Sequence, residues 1–271
     1  MQEHISYVDG RRIHYREGGE GSPVLLIHGL SGSGRWWLQN IDYLARSHHV
    51  YVIDLVGFGR SRRQHFHLTQ AAPLIAKWME QIGINAATLI GHSMGGFISI
   101  DLAACFPAKV ERLVVVDAPA LPLERSRAKI AVRLARALME MPRPFLPILF
   151  GDGLQAGPRT VYSAAHELMH SDISYKIGLV RAPTLVVWGD HDWLVPLSMG
   201  VRIYDRLPNA EFVVIDHAGH NPMWDRADRF NEIVEHFIQH GSLPPCAQDP
   251  IAQLHNLPYC NSGCIGGSCP L

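Results

Sequence analysis

An excess of either charge is what this sequence lacks: 24 lysines and arginines stand against 25 acidic residues in a chain of 271. No global field is therefore expected to gather nucleic acid or an anionic membrane. No apolar run approaches the ~20 residues that a bilayer-spanning helix needs, so an integral membrane segment is not expected. The N-terminus, MQEHISYVDGRRIHYREGGEG, has no apolar h-region; a cleaved secretory signal is not expected, and the cytoplasm is the default compartment. Cysteine is nearly missing from the first 245 residues, where Cys105 stands alone, while Cys246, Cys260, Cys264 and Cys269 crowd into the tail. That break in composition marks a boundary near Gly241. What the sequence does have is 47% apolar residues against 18% charged, enough to bury a sizeable core.

Short β-branched runs alternate with longer helical patterns. PVLLIHG (23–29), VYVID (50–54), ATLIGH (87–92), RLVVVD (112–117), TLVVWGD (184–190) and EFVVID (211–216) are continuously apolar, as parallel strands buried on both faces are. ISYVD and RRIHYRE read as an antiparallel pair leading in. Helical patterns cover 35–47, 68–83, 95–106, 198–207 and 225–239. The expectation is an α/β fold, a mostly parallel eight-stranded sheet with helices on both faces, built from residues 1–118 and 183–240. Residues 119–182 contain no convincing strand and are expected to form a helical cap or lid over the strand ends. Within them, ERSRAKIAVRLARALME (124–140) is a basic amphipathic pattern; its Arg125, Arg127, Lys129, Arg133 and Arg136 suit an anionic group, or simply a solvated face. Residues 241–271 lack periodicity. Their C-x13-C-x3-C-x4-C spacing lacks the paired short knuckles of a structural zinc site, so the tail is expected to be disordered.

One stretch carries chemistry. In LIGHSMGG an apolar strand runs into Ser93 and a helical pattern leaves it. A serine at such a junction is forced into a tight turn, and Gly91 and Gly95 give the backbone room there. The helix that follows aims its N-terminal N–H groups at the place where an oxyanion would form. A serine needs a general base, itself oriented by a carboxylate. Among 16 histidines, His220 of HAGHNPMW lies in a loop after the last strand, with His217 its competitor nearer the strand. TLVVWGDHDWLVP offers Asp190 and Asp192 just past a strand end.

Five motifs, LLIHGLSGSG, DLVGFGRS, GHSMGG, VVWGDHDWLVP and AGHNPMWD, span nearly all of residues 1–240, which resemble the α/β-hydrolase fold, in particular small esterases and the related enzymes that cleave carbon–carbon bonds. The resemblance implies a Ser93, Asp192, His220 triad, with Asp190 structural and Asp117 a third acid position used by some members. It also implies an oxyanion hole from the N–H groups of Leu30 and Met94, and His28 as a buried scaffold residue. Asp225 stands where a Glu is usual. Trp36 and Trp37 are pocket candidates, at least one of them expected to pack against helices instead.

Serine at position 93 argues against epoxide opening and halide displacement, which use Asp there. The expected activity is carboxylic ester hydrolysis of short-to-medium acyl chains, on a small-molecule substrate and with no metal or organic cofactor. Two alternatives stand: carbon–carbon hydrolysis of vinylogous diketone acids, whose enzymes carry GNSMGG where this chain carries GHSMGG, and a ligand-sensing protein with little turnover.

Overall fold

The structure, a computed structural model, describes residues 1–122 and 126–247. A hairpin of β1 (Gln2–Val8) and β2 (Arg11–Gly18) opens the chain, and β3 (Ser22–Ile27) follows. Then come α1 (Ile41–Leu44), β4 (His48–Asp54), α2 (Leu68–Gln81), β5 (Ala87–His92), α3 (Met94–Cys105) and β6 (Val110–Val116). Four helices occupy the interval before β7: α4 (Arg127–Glu140), α5 (Leu146–Ala156), α6 (Pro158–His170) and α7 (Ser174–Ile177). The chain closes with β7 (Thr184–Gly189), α8 (Leu197–Tyr204), β8 (Ala210–Ile215), α9 (Pro222–Asp225) and α10 (Ala227–His240). The eight strands form one sheet in the order β1-β2-β4-β3-β5-β6-β7-β8, antiparallel through β1, β2 and β4 and parallel from there on.

Successive strand residues point to opposite faces, and the apolar runs divide accordingly. Leu25, Ile27, Leu113, Val115, Val186 and Trp188 pack with α2, α3 and α8; Val24, Leu26, Val114, Val116, Leu185 and Val187 pack with Trp37, α1 and α10. Burial on both faces is why these strands read as unbroken apolar runs. Helix α10 presents Phe230, Ile233, Val234, Phe237 and Ile238 to the sheet at helical spacing, each at most 4% exposed. Each such side chain contributes about 1.5–3 kcal/mol of burial. Gly241, at φ 72°, then ends the helix in the left-handed conformation.

Two expectations are revised. Residues 35–47 do not form one helix: a 3-10 turn at 34–37 and the short α1 replace it. Trp36 and Trp37 are buried in different surroundings, and between turn and helix Asn40 donates to the Met223 carbonyl (3.0 Å) and to Asn231 Oδ1 (2.8 Å). These tertiary bonds outweigh local helix preference. The packed body also continues past Gly241, since Leu243 and Ala247 are buried against the α10 face. The expectations for Cys260, Cys264 and Cys269 lie outside the described residues. Among the described residues, no helix is long and apolar enough to cross a membrane.

Candidate active site

Loops at the carboxyl ends of β5, β7 and β8 meet above the sheet, the usual crevice of an open parallel sheet. At the end of β5 the chain reverses into α3 through Ser93, whose φ of 52° and ψ of −118° few non-glycine residues adopt. A Cβ on Gly91 would collide with the Gly95 carbonyl and the Ser99 hydroxyl; one on Gly95 would strike the main-chain oxygens of Ile27 and His28. The glycines of the motif are therefore packing requirements of the turn. The Ser93 N–H donates to Val116 O at 2.8 Å, tying the turn to β6.

The Ser93 hydroxyl lies 3.0 Å from His220 Nε2, and His220 Nδ1 lies 2.8 Å from Asp192 Oδ2. With serine donating to Nε2, the ring proton sits on Nδ1 and is donated to Asp192. The other Asp192 oxygen accepts the N–H groups of Leu194 (2.8 Å) and Val195 (3.0 Å), which fixes the carboxylate. The structure thus joins Ser93, His220 and Asp192 in one line. Asp190 instead accepts the Ala218 N–H at 3.1 Å, and Asp225 accepts the Gly219 N–H at 2.7 Å, so two carboxylates hold the loop that carries His220. Burial raises the Asp225 carboxyl to about 6, against the pull of the Gly219 N–H and His220. His217 is exposed, at φ 57°, with its ring facing His191.

His28 precedes the Gly29-Leu30 segment from which an oxyanion donor is expected. Its Nδ1–H donates to Gly29 O (2.8 Å), while Nε2 accepts the Leu55 N–H (3.0 Å). Burial lowers its pKa, consistent with a neutral ring that ties the loop after β3 to the loop after β4. The N–H groups of Leu30 and Met94 have no protein acceptor among the described residues. One feature escaped the sequence reading although it lies inside the motif. His92, fully buried, has its Nε2 2.6 Å from the main-chain oxygen of His220. Burial, followed by the neighbouring His220, pushes the His92 pKa well below its ordinary value, so its ring stays neutral and donates.

A profile of the alpha/beta hydrolase family matches residues 24–233. The chain belongs to this family. It is similar to a 2-hydroxy-6-oxo-6-phenylhexa-2,4-dienoate hydrolase of Comamonas testosteroni, with 28% identity over 84% of this chain and 91% of the relative. It is also similar to a 2-hydroxy-6-oxononadienedioate/2-hydroxy-6-oxononatrienedioate hydrolase of Paraburkholderia phymatum, with 26% identity over 84% of this chain and 91% of the relative. A solved structure of Est816, described as an N-acyl homoserine lactone degrading enzyme, superposes with a TM-score of 0.75 at 26% identity, over 86% of this chain and 99% of that one.

In this alpha/beta hydrolase the two tryptophans part ways. Trp37 is fully buried beside Phe230, which makes it a core residue and removes it from the pocket candidates. Trp36 sits 5.6 Å from the His92 ring and edge-on to Phe145 at 5.2 Å, and its carbonyl accepts the Trp224 indole N–H. Phe145 belongs to the segment inserted between β6 and β7, as does Asp152. The latter, 1% exposed, accepts the Ser33 hydroxyl at 2.7 Å and faces Arg35 at 3.3 Å. Neither Phe145 nor Asp152 carries a local sequence signature. Asp117, Asp192 and His220 each bring a ligating atom within 4.8 Å of the others. Asp192 and His220 already direct those atoms at each other, so the cluster reads as a hydrogen-bonded group.

Proposed function

We propose that the chain is a serine hydrolase in which Ser93 attacks a carbonyl carbon, His220 takes the serine proton and Asp192 holds the His220 ring. The observation that carries this reading is the unbroken line from the Ser93 hydroxyl through His220 to Asp192, at 3.0 and 2.8 Å. As the tetrahedral adduct forms, the oxyanion moves toward the N–H groups of Leu30 and Met94. A strong preorganised donor is worth about 3–4 kcal/mol of barrier. His220 returns its proton to the leaving group, and water, deprotonated by the same ring, releases the acyl group. The helices of 119–182 serve as the lid, held to the loop after β3 by Asp152 and Phe145.

For the bond cleaved, the two relatives named above support a carbon–carbon bond beside a ketone in a 2-hydroxy-6-oxo-dienoic acid. The leaving atom is then a carbon, which receives the proton from His220. A second reading, hydrolysis of carboxylic esters or lactones of short-to-medium acyl chain, is supported by the likeness to Est816. One experiment separates them. Wild type and Ser93→Ala are given 2-hydroxy-6-oxo-6-phenylhexa-2,4-dienoate, followed by loss of its dienolate absorbance and release of benzoate, and p-nitrophenyl esters from acetate to laurate. Dienoate turnover that is lost in the variant supports carbon–carbon cleavage; turnover of esters alone moves the assignment to an esterase. Equal rates in both proteins, or none on any substrate, would sink the role given to Ser93.

A further inference from the structure

Beside His220 two buried carboxyl groups, those of Asp117 and Asp192, lie close together, with one oxygen of each and a His220 ring nitrogen all within 4.8 Å of one another. Asp117 follows β6 at φ 45° and is fully buried, and its N–H donates to Val187 O at 3.1 Å. One carboxyl oxygen, Oδ1, accepts the Gly189 N–H at 3.1 Å; the other, Oδ2, is buried and has no hydrogen-bond partner among the described residues. An orphaned buried carboxyl oxygen is costly, and a second full charge beside Asp192 would be costlier. Asp192 already accepts three hydrogen bonds, from Leu194, Val195 and His220, whereas Asp117 accepts one. A single negative charge shared by this pair belongs on Asp192, and a single proton belongs on Asp117.

We propose that Asp117 is a positioning residue that stays protonated and donates its Oδ2 hydrogen to Asp192. The orphaned oxygen then becomes a donor, and Asp192 is gripped from two sides, by His220 in front and by Asp117 behind. One negative charge faces His220 in place of two. Among the described residues, the titratable groups facing Asp117 are Asp192 on the loop after β7, Asp225 on α9 and His220 on the loop after β8, whose ring packs against the neutral His92 at the end of β5. Burial first, then the charge of Asp192, holds the Asp117 carboxyl well above the usual carboxylate range, while the Gly189 N–H pulls it back only in part.

The proposal rests on Ser93, His220 and Asp192 being the reacting group, so its test avoids turnover. In protein labelled at histidine, the His220 ring is titrated by NMR in wild type, Asp117→Asn and Asp117→Ala, and assigned with His220→Gln. Infrared spectra of wild type and Asp117→Asn at pH 8 look for the carbonyl stretch of a buried, protonated carboxylic acid. Asn replaces a neutral donor with a neutral donor. His220 should therefore titrate within about 0.3 units of wild type, and the acid band should be present in wild type and missing in Asp117→Asn. In Asp117→Ala the Nδ1 proton of His220 should exchange faster than in wild type. If Asp117 were ionised, Asn would remove a negative charge beside the ring. The His220 pKa would then fall by about a unit or more and wild type would lack the acid band, which overturns the proposal. Unchanged Nδ1 exchange in Asp117→Ala overturns the positioning role. Should the Ala variant not fold, the Asn titration and the infrared band decide alone.

Discussion

His92 donates its Nε2 hydrogen to the main-chain oxygen of His220 at 2.6 Å, so the residue just before Ser93 fixes the backbone of the residue whose ring faces that serine. The bond joins the end of β5 to the loop after β8, and these two strands are not neighbours in the sheet. A displacement of about 1 Å at a reacting group can cost as much as 100-fold in rate. His92→Phe keeps a ring of similar bulk and removes the donor; kcat should fall about 10- to 100-fold with KM within about twofold. His92→Asn, which can still donate, should lose less. Steady-state kinetics on whichever substrate is turned over checks this, and equal kcat in wild type and His92→Phe would show that His220 needs no such support.

Ser93→Ala should remove turnover by at least ~1,000-fold and leave the fold intact. The turn is held by Gly91, Gly95 and the bond from the residue 93 N–H to Val116 O, and none of these involves the hydroxyl. Urea unfolding should therefore place the variant within about 0.5 kcal/mol of wild type. A large loss of stability would mean that the hydroxyl serves the structure.

What was legible in the sequence is what local pattern encodes. ATLIGH matches β5 residue for residue, because burial on both faces makes the strand continuously apolar. Ser93 and His220 of the proposed group were suggested by local pattern, a serine between two glycines after a strand and a histidine in the loop after the last strand, whereas the choice of Asp192 over Asp190 came from the resemblance. Bonds between distant segments left no such trace. Asp152 meets Ser33 across 119 residues, and Asn40 meets Asn231 across 191. A helix over 35–47 was a fair expectation from periodicity, but Asn40 and the two buried tryptophans answer to tertiary partners. The closeness of Asp117 to Asp192 follows from β6 and β7 being sheet neighbours, which composition and spacing do not reveal.

Asp225 offers a test in pH. Its folded pKa, about 6, lies above the ordinary value of 3.8, with burial as the main cause. The native state therefore holds this proton more tightly than the unfolded chain between about pH 4 and pH 6, and stability falls as pH rises through that window. Asp225→Asn keeps an oxygen to accept the Gly219 N–H and removes the buried charge. Relative to wild type it should gain about 1–2 kcal/mol at pH 8, after discounting for partial exposure, and nearly nothing at pH 4. Urea unfolding at the two pH values measures the difference; a gain of the same size at both would mean that charge burial is not its source.

Asp152 tests whether the inserted helices are fastened to the loop after β3. Its contact with Arg35 is partly exposed and worth little by itself, but the Ser33 hydroxyl it accepts is buried. Asp152→Ala leaves that hydroxyl without its acceptor and should cost about 1–3 kcal/mol. Asp152→Asn keeps an acceptor oxygen and should cost less. Burial is also the largest influence on Asp152 and raises its carboxyl, partly offset by Ser33 and Arg35. The Asn variant should therefore close most of its stability gap as pH rises above the ordinary carboxylate range, because only wild type then carries a buried charge. If the contact fastens the insertion, Asp152→Ala should be cut faster by protease within 126–182, while Ser93 should still react with a fluorophosphonate probe. Faster cleavage spread evenly over the chain would instead mean global destabilisation, and loss of probe labelling would place Asp152 in the support of the reacting group itself.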